Sequence, residues 1–300
     1  MTRPRRAATA SAVAAFALVG LVGCGTSSPA DRARPARLYP FASAVYYTDA
    51  EQRTVDVQLE QATATCMRDR GFSYPPAAAA AGPPSASEPD NPYGLLDLGT
   101  ARTHGYGIVP AEVQHRRRSP AATPTAPAAD PGYELALVGD QQRQTTLDLP
   151  DGSQATVASD ACVTRARAAV YGRDWDRLYF TVQALSNMVI TRTVADPAVA
   201  TAQTAWSSCL SRAGHRAESP DDLRRAIQVR AQSAADDPAI RAVAKAELAA
   251  AEADASCQEQ VELGQAIRTA QDRAEQQTLN DQFRRDLEQL RNLKQAALAR

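Results

Sequence analysis

The sequence predicts a mainly α protein: a disulfide-stapled helical bundle with a long C-terminal helix and a short β-hairpin near 145–157. Three observations carry this reading. Asp196-Pro197, Ser219-Pro220 and Asp237-Pro238 repeat one helix-start signal, a capping side chain followed by proline at the first helical position, where its missing N–H costs nothing. The chain holds 62 alanines but only 5 % aromatic residues, a composition that packs helices closely and builds few roomy pockets. Four cysteines in the body of the chain sit in two alternating contexts that suit internal staples.

Taken in order, residues 1–23 predict a signal peptide: a basic start (Arg3, Arg5, Arg6), an apolar run from Ala7 to Leu21, then Leu21-Val22-Gly23-Cys24. The run of about 15 residues is shorter than the ~20 that a stable transmembrane helix needs. The final four residues resemble the lipobox of bacterial lipoproteins, which implies cleavage before Cys24 and a thioether from its thiol to diacylglycerol. Two acyl chains anchor far more firmly than one. Loss of the three arginines takes the formal charge from −1 to −4, so the lipid and not charge would hold the chain to a membrane. Residues 24–47 read as a flexible tether, able to span about 75 Å when extended.

Thr48-Asp49-Ala50-Glu51 is a capping box that opens a helix to about Arg70, with Val55, Leu59, Ala62, Cys66 and Met67 on one stripe and Gly71 as the stop. The Pro/Ala-rich stretches 74–92 and 119–131 lack the apolar residues to form a core and read as insertions in a helical domain spanning 48–300. Thr145 to Val157, turning at Pro150-Asp151-Gly152, predicts the hairpin, which needs helices to lie on because two strands alone are marginal in water. Asp160 is expected to cap a helix to Tyr171, and Asp174 a second that carries Leu178, Val182, Leu185, Met188 and Val189. From Pro238 to Arg300 the pattern is helical with no proline, about 90 Å if straight. Val243, Leu248, Ala251 and Ala255 form one stripe there, and Phe283, Leu287, Leu290 and Ala297 a heptad-like second, so the end must fold back or project. Residues 279–300 either fold back on their own domain or receive another chain as an amphipathic helix, and are expected to contribute to partner contact more than to the stability of the core.

With Cys24 assigned to lipid, Cys66, Cys162, Cys209 and Cys257 remain, an even number in a compartment expected to be oxidising. Four cysteines allow three connectivities. Cys66 and Cys209 each close a helix five residues before a glycine, whereas Cys162 and Cys257 each lie within a helix shortly after Asp-Ala. The alternation makes Cys66–Cys162 and Cys209–Cys257 the economical pairing. No two cysteines are close in sequence, and His104, His115 and His215 form no ligand pair, so no metal is expected.

No catalytic residue is assigned. The chain has no nucleophile elbow, HExxH or paired CxxC, and Gly105-Tyr106-Gly107 lacks the third glycine and preceding strand of a nucleotide loop. His115-Arg116-Arg117-Arg118 reads as a solvated flank in preference to a site for anionic wall polymer. Trp206, three residues before Cys209, reads as packing on the disulfide in preference to stacking on sugar. A near-neutral balance, with pI near 6.3, gives no basis for nucleic-acid binding.

Cys66-Met67-x-x-x-Gly71-Phe72-x-Tyr74, Ala161-Cys162 leading to Ala168-Ala169-Val170-Tyr171-Gly172, Trp206-Ser207-Ser208-Cys209-Leu210 and Ala253-Asp254-Ala255-Ser256-Cys257 together resemble a group of actinomycete secreted lipoproteins of unknown function. The resemblance spans about residues 45–270. It implies a disulfide-bonded helical fold, supports the cysteine pairing and supplies no catalytic residue. The expectation is a lipid-anchored, non-catalytic binding or interaction module on the outer face of the cytoplasmic membrane, with an envelope protein or cell-wall partner, no cofactor and no nucleic acid; the alternative is a cell-wall-acting enzyme or enzyme subunit.

Overall fold

The computed structural model describes residues 38–75, 92–118 and 130–300; residues 1–23, read above as a signal peptide, Cys24, residues 25–37 and most of both expected insertions lie outside the described residues. The described chain is helical apart from one hairpin. Its helices are α1 Ala42–Val45, α2 Asp49–Asp69, α3 Leu98–His104, α4 Ile108–Arg118, α5 Pro131–Val138, α6 Cys162–Tyr171, α7 Trp175–Val194, α8 Pro197–Arg212, α9 Pro220–Ser233, α10 Asp237–Gln260, α11 Leu263–Thr278 and α12 Asp281–Leu298.

Local chemistry starts α2, α8 and α9 at the capping residues that the sequence signals. Thr48 accepts from the Glu51 amide at 3.3 Å while Glu51 accepts from the Thr48 amide at 2.7 Å, completing the capping box of α2. Asp196 caps α8 and Ser219 caps α9, each with proline next. The third start is displaced by one residue: Asp236, in extended backbone, accepts from the Ala239 amide at 2.8 Å, and Asp237 enters the first turn of α10. There its charge meets the positive end of the helix dipole. Asp130-Pro131, which the composition placed inside an insertion, is a fourth copy of the signal and opens α5. Asp160 does not cap α6, which starts at Ala161 without a side-chain cap; Asp174 makes no cap bond and accepts from Gln289 Nε2 at 3.2 Å instead.

The hairpin pairs β1 Gln144–Asp148 with β2 Gln154–Ala158, antiparallel, with Leu147 opposite Ala155. Ala158 is its one buried residue.

Two adjoining cores organise the helices. The first joins α3, α4, α8, α9, α10 and the start of α11 around Trp206, Leu210, Leu223, Ile227, Ala251 and Ile267. The second joins α1, α2, α6, α7, α12 and the end of α11 around Val55, Leu178, Val182, Leu185, Val189 and Leu290. A small satellite of Met67, Ala136 and Cys162 seats α5 against α2 and α6.

The C-terminal stretch is helical but is not one rod. It turns at Glu262, whose φ of 54° is left-handed, and again at Asn280, which caps α12 by accepting from the Phe283 amide at 2.9 Å. A straight helix would have left its apolar stripes in water; folding back buries Leu263 and Ile267 in the first core and Leu287 and Leu290 in the second. Of the two alternatives that the sequence leaves open for the C-terminal portion, folding back and projecting, the structure takes the first. Asp286, itself buried, further ties α12 to α7 through Arg177 at 3.3 Å.

The flexible tether expected over 24–47 does not extend through residues 38–47. Phe41 and Ala44 are buried, and Val45 and Tyr47 pack beside them on the second core. Residues 38–47 thus form a strap, legible only as scattered aromatics because no helical period connects them.

Candidate functional site

Both staples close as the cysteine contexts suggest. Cys66 bonds Cys162 with Cα atoms 5.5 Å apart, and Cys209 bonds Cys257 at 5.7 Å. They differ in setting. Cys209 and Cys257 are both buried within the first core, whereas Cys66 is only partly buried and reaches a surface groove.

The main chemistry missed in the sequence is a buried polar knot on α10. Asp254 is fully buried and receives three donors: Trp206 Nε1 at 2.9 Å, Gln258 Nε2 at 2.7 Å and the Tyr106 hydroxyl at 3.0 Å. Burial raises the Asp254 carboxyl above its ordinary range, opposed chiefly by the donors from Gln258 and Tyr106. The Tyr106 hydroxyl is held protonated by burial and by the adjacent Asp254 charge. The Arg224 guanidinium lies 5.2 Å from the Tyr106 ring centroid and donates to the Gly94 carbonyl at 2.8 Å.

Two turns earlier, buried Glu247 accepts from the amides of Ile108 and Val109 at 2.8 and 2.9 Å. It occupies the N-terminus of α4, the place where an anion would bind. Gly105-Tyr106-Gly107 is thus the buried turn between α3 and α4. At Gly105, φ is +62° and a Cβ would stand 3.1 Å from Glu247 Cγ, so both conformation and space call for glycine. The stripe read as Val243, Leu248, Ala251 and Ala255 is off by one member: Leu248 is 40 % exposed and Glu247 points inward.

The basic run also has a structural partner. Arg116 pairs with Glu112 at 2.8 Å and donates to the carbonyls of Ala231, Gln232 and Ala234, closing the C-terminus of α9. His115 and Arg117 are exposed on α4. Neither tryptophan offers a free face: Trp206 is fully buried, and Trp175 is stacked on Tyr171 with ring centroids 3.6 Å apart.

Lys294, one of two lysines in the chain, is 5 % exposed. Its Nζ donates to the Tyr46 carbonyl at 2.5 Å and lies 4.1 Å from the Tyr47 ring centroid, so it pins the strap to α12. Burial lowers its pKa from 10.5 to about 8. The unfolded chain keeps this proton to higher pH than the folded one, so stability should rise with pH between about 8 and about 10.5. The urea midpoint of the wild type should increase from pH ~7.5 to pH ~9.5, and Lys294→Met should flatten that increase. Equal slopes in the two proteins would show that Lys294 is charged without penalty.

One concave feature of the described surface is a groove of about 620 Å³ between α2 and α6. Gln58, Gln61, Thr65 and Asp69 form the α2 wall, Arg165 and Ala169 the α6 wall, and Cys66 and Ala166 lie between them. Arg70 at its end donates to the carbonyls of Ala136, at 3.3 Å, and Asp160. Among the described residues no group of three or more His, Cys, Asp or Glu side chains is placed to hold a metal ion, and no helix is long and apolar enough to cross a membrane. Comparison with known protein families, curated proteins and solved structures finds no match to this chain.

Proposed function

We propose that the chain is an extracytoplasmic lipoprotein, anchored through Cys24, that acts as a non-catalytic interaction module at the cell envelope. The groove between α2 and α6 is the observation that carries the interaction reading. It gathers amide, hydroxyl and charged groups on rigid helices at the surface, whereas Asp254 and Glu247 are already bonded within the fold. The lipobox and the two disulfides support the compartment.

Cys24→Ala should release the protein from the membrane fraction of expressing cells, and mass spectrometry of the wild-type N-terminus should find a diacylated cysteine. An unmodified N-terminus would remove the anchor from the proposal. A photo-crosslinking residue at Gln61, in the groove wall, should capture a discrete envelope component in intact cells, with capture weakened by Arg165→Glu. Crosslinks that are no more discrete than those from exposed Val229 on α9 would argue against the groove as the contact surface.

A further inference from the structure

We propose that the Cys66–Cys162 disulfide is a thiol-exchange site, open to attack at Cys66 by a thiol or dithiol seated in the α2–α6 groove, whereas Cys209–Cys257 is inert while the protein is folded. The inference goes beyond the interaction reading and stands without it, because it concerns the reactivity of the purified chain.

Access separates the two disulfides. Thiol exchange requires the incoming thiolate to approach one sulfur in line with the bond to the other. Cys66 lines the groove and is partly exposed, whereas Cys162 has no exposed surface. Attack from the groove therefore falls on Cys66, and Cys162 is the leaving group. In the other pair, Cys209 is 8 % and Cys257 3 % exposed, with Trp206 and Leu210 in the surrounding core. Neither of these two cysteines lines the α2–α6 groove.

The leaving side is arranged for the chemistry. Cys162 is the first residue of α6, and the residue before it, Ala161, makes no side-chain cap hydrogen bond to the helix N-terminus. A thiolate released at Cys162 would lie at the positive end of the helix dipole, a setting that stabilises thiolates and makes them better leaving groups. The approach side carries Arg165 on one wall and Arg70 at the end, against the single carboxylate of Asp69. Arg165, exposed and one turn beyond Cys162, is placed to attract an anionic thiol.

The steps balance with a thiol as reductant. A thiolate RS⁻ bonds to Cys66 Sγ as the Cys66–Cys162 bond breaks, and the electron pair leaves on Cys162 Sγ. A second thiol then attacks the mixed disulfide, giving RSSR and the Cys66 thiolate, so that two thiols are oxidised and one protein disulfide is reduced. Loss of this bond would remove the covalent tie between the end of α2 and the start of α6, leaving Met67 packed on Cys162 and Arg70 on the Asp160 carbonyl. It would leave α5 held by the small cluster of Met67, Ala136 and Cys162, by the edge-on contact of Phe72 with Tyr133 and by Arg70 donating to the Ala136 carbonyl.

The test uses the oxidised full chain with Cys24→Ser, which removes the fifth cysteine. It is incubated under native conditions with reduced glutathione or with dithiothreitol, quenched by alkylation and mapped by mass spectrometry. Cys66 and Cys162 should open at least about tenfold faster than Cys209 and Cys257, with the glutathione adduct on Cys66 and the helical circular dichroism retained. Arg165→Glu should slow attack by anionic glutathione several-fold more than attack by dithiothreitol. Equal opening of the two bonds, an adduct on Cys162, or opening only at the rate of global unfolding would overturn the proposal. If dithiothreitol alone opens the bond, the site is assigned to dithiols and the anionic-thiol attraction is refuted.

Discussion

Asp254→Ala is expected to destabilise the protein by several kcal/mol, because each buried donor left without an acceptor costs about 1–3 kcal/mol. The substitution deletes the acceptor of Trp206 Nε1, Gln258 Nε2 and the Tyr106 hydroxyl together, and water has no path to replace it at a fully buried position. Asp254→Asn separates charge from bonding. Its amide oxygen can still accept from Trp206 and Gln258, and its amide nitrogen can donate to the Tyr106 hydroxyl, which then acts as acceptor. Because burial raises the Asp254 pKa, that group favours the folded state most strongly at low pH and loses this contribution as pH rises through the folded value. Urea denaturation at neutral pH should therefore place Asp254→Asn far closer to the wild type than to Asp254→Ala. Similar losses for both variants would mean that the charge itself, and not the three bonds, holds the knot.

Replacing Cys209 and Cys257 together by serine should cost about 4 kcal/mol, the chain-entropy estimate for a closed loop of this size. The 48-residue separation contains the whole of α9 and most of α10, and both sulfurs lie in the first core. Serine also leaves two hydroxyls in that core, so the cost should exceed that of alanine at the same positions by an amount that reports their desolvation. The urea midpoints of the oxidised wild type and of the two double variants measure both quantities. A loss below about 1 kcal/mol in either would show that the core holds α8 on α10 without the bond.

Much of the fold was legible because its signals are local. The capping box at Thr48, the starts at Asp196 and Ser219, and the glycine stops at Gly71 and Gly214 all depend on a few consecutive residues. The cysteine contexts were legible for the same reason. The polar knot was not, because nothing near Glu247 or Asp254 marks them as buried; each looks like one more acid on an alanine-rich helix. The available signal was periodicity. Glu247 and Asp254 lie seven apart on the face that also carries Val243, Ala250, Ala251 and Ala255, and a carboxylate on an apolar stripe calls for partners from elsewhere in the chain. Those partners, Tyr106 and Trp206, are 148 and 48 residues away, a distance over which no local pattern speaks. Arg116 was obscured differently: as part of a basic run it looked solvated, and only the position of α9 shows the carbonyls that it closes.

The strap has a mechanical meaning. Residues 38–47 do not lead straight into α2; Phe41 first inserts into the second core with its amide 3.4 Å from Glu275 of α11, and Lys294 of α12 grips the Tyr46 carbonyl. Tension drawn on the chain at Leu38 is therefore borne by α11 and α12 before it reaches α2. Gln58 of α2 in turn bonds the Ala297 carbonyl at 3.1 Å, so the final helix is clamped from both sides of the strap. A force applied at Leu38 would thus load a buried aromatic plug on α11 and a lysine latch on α12, the two helices latest in sequence, before it reached the N-terminal end of α2.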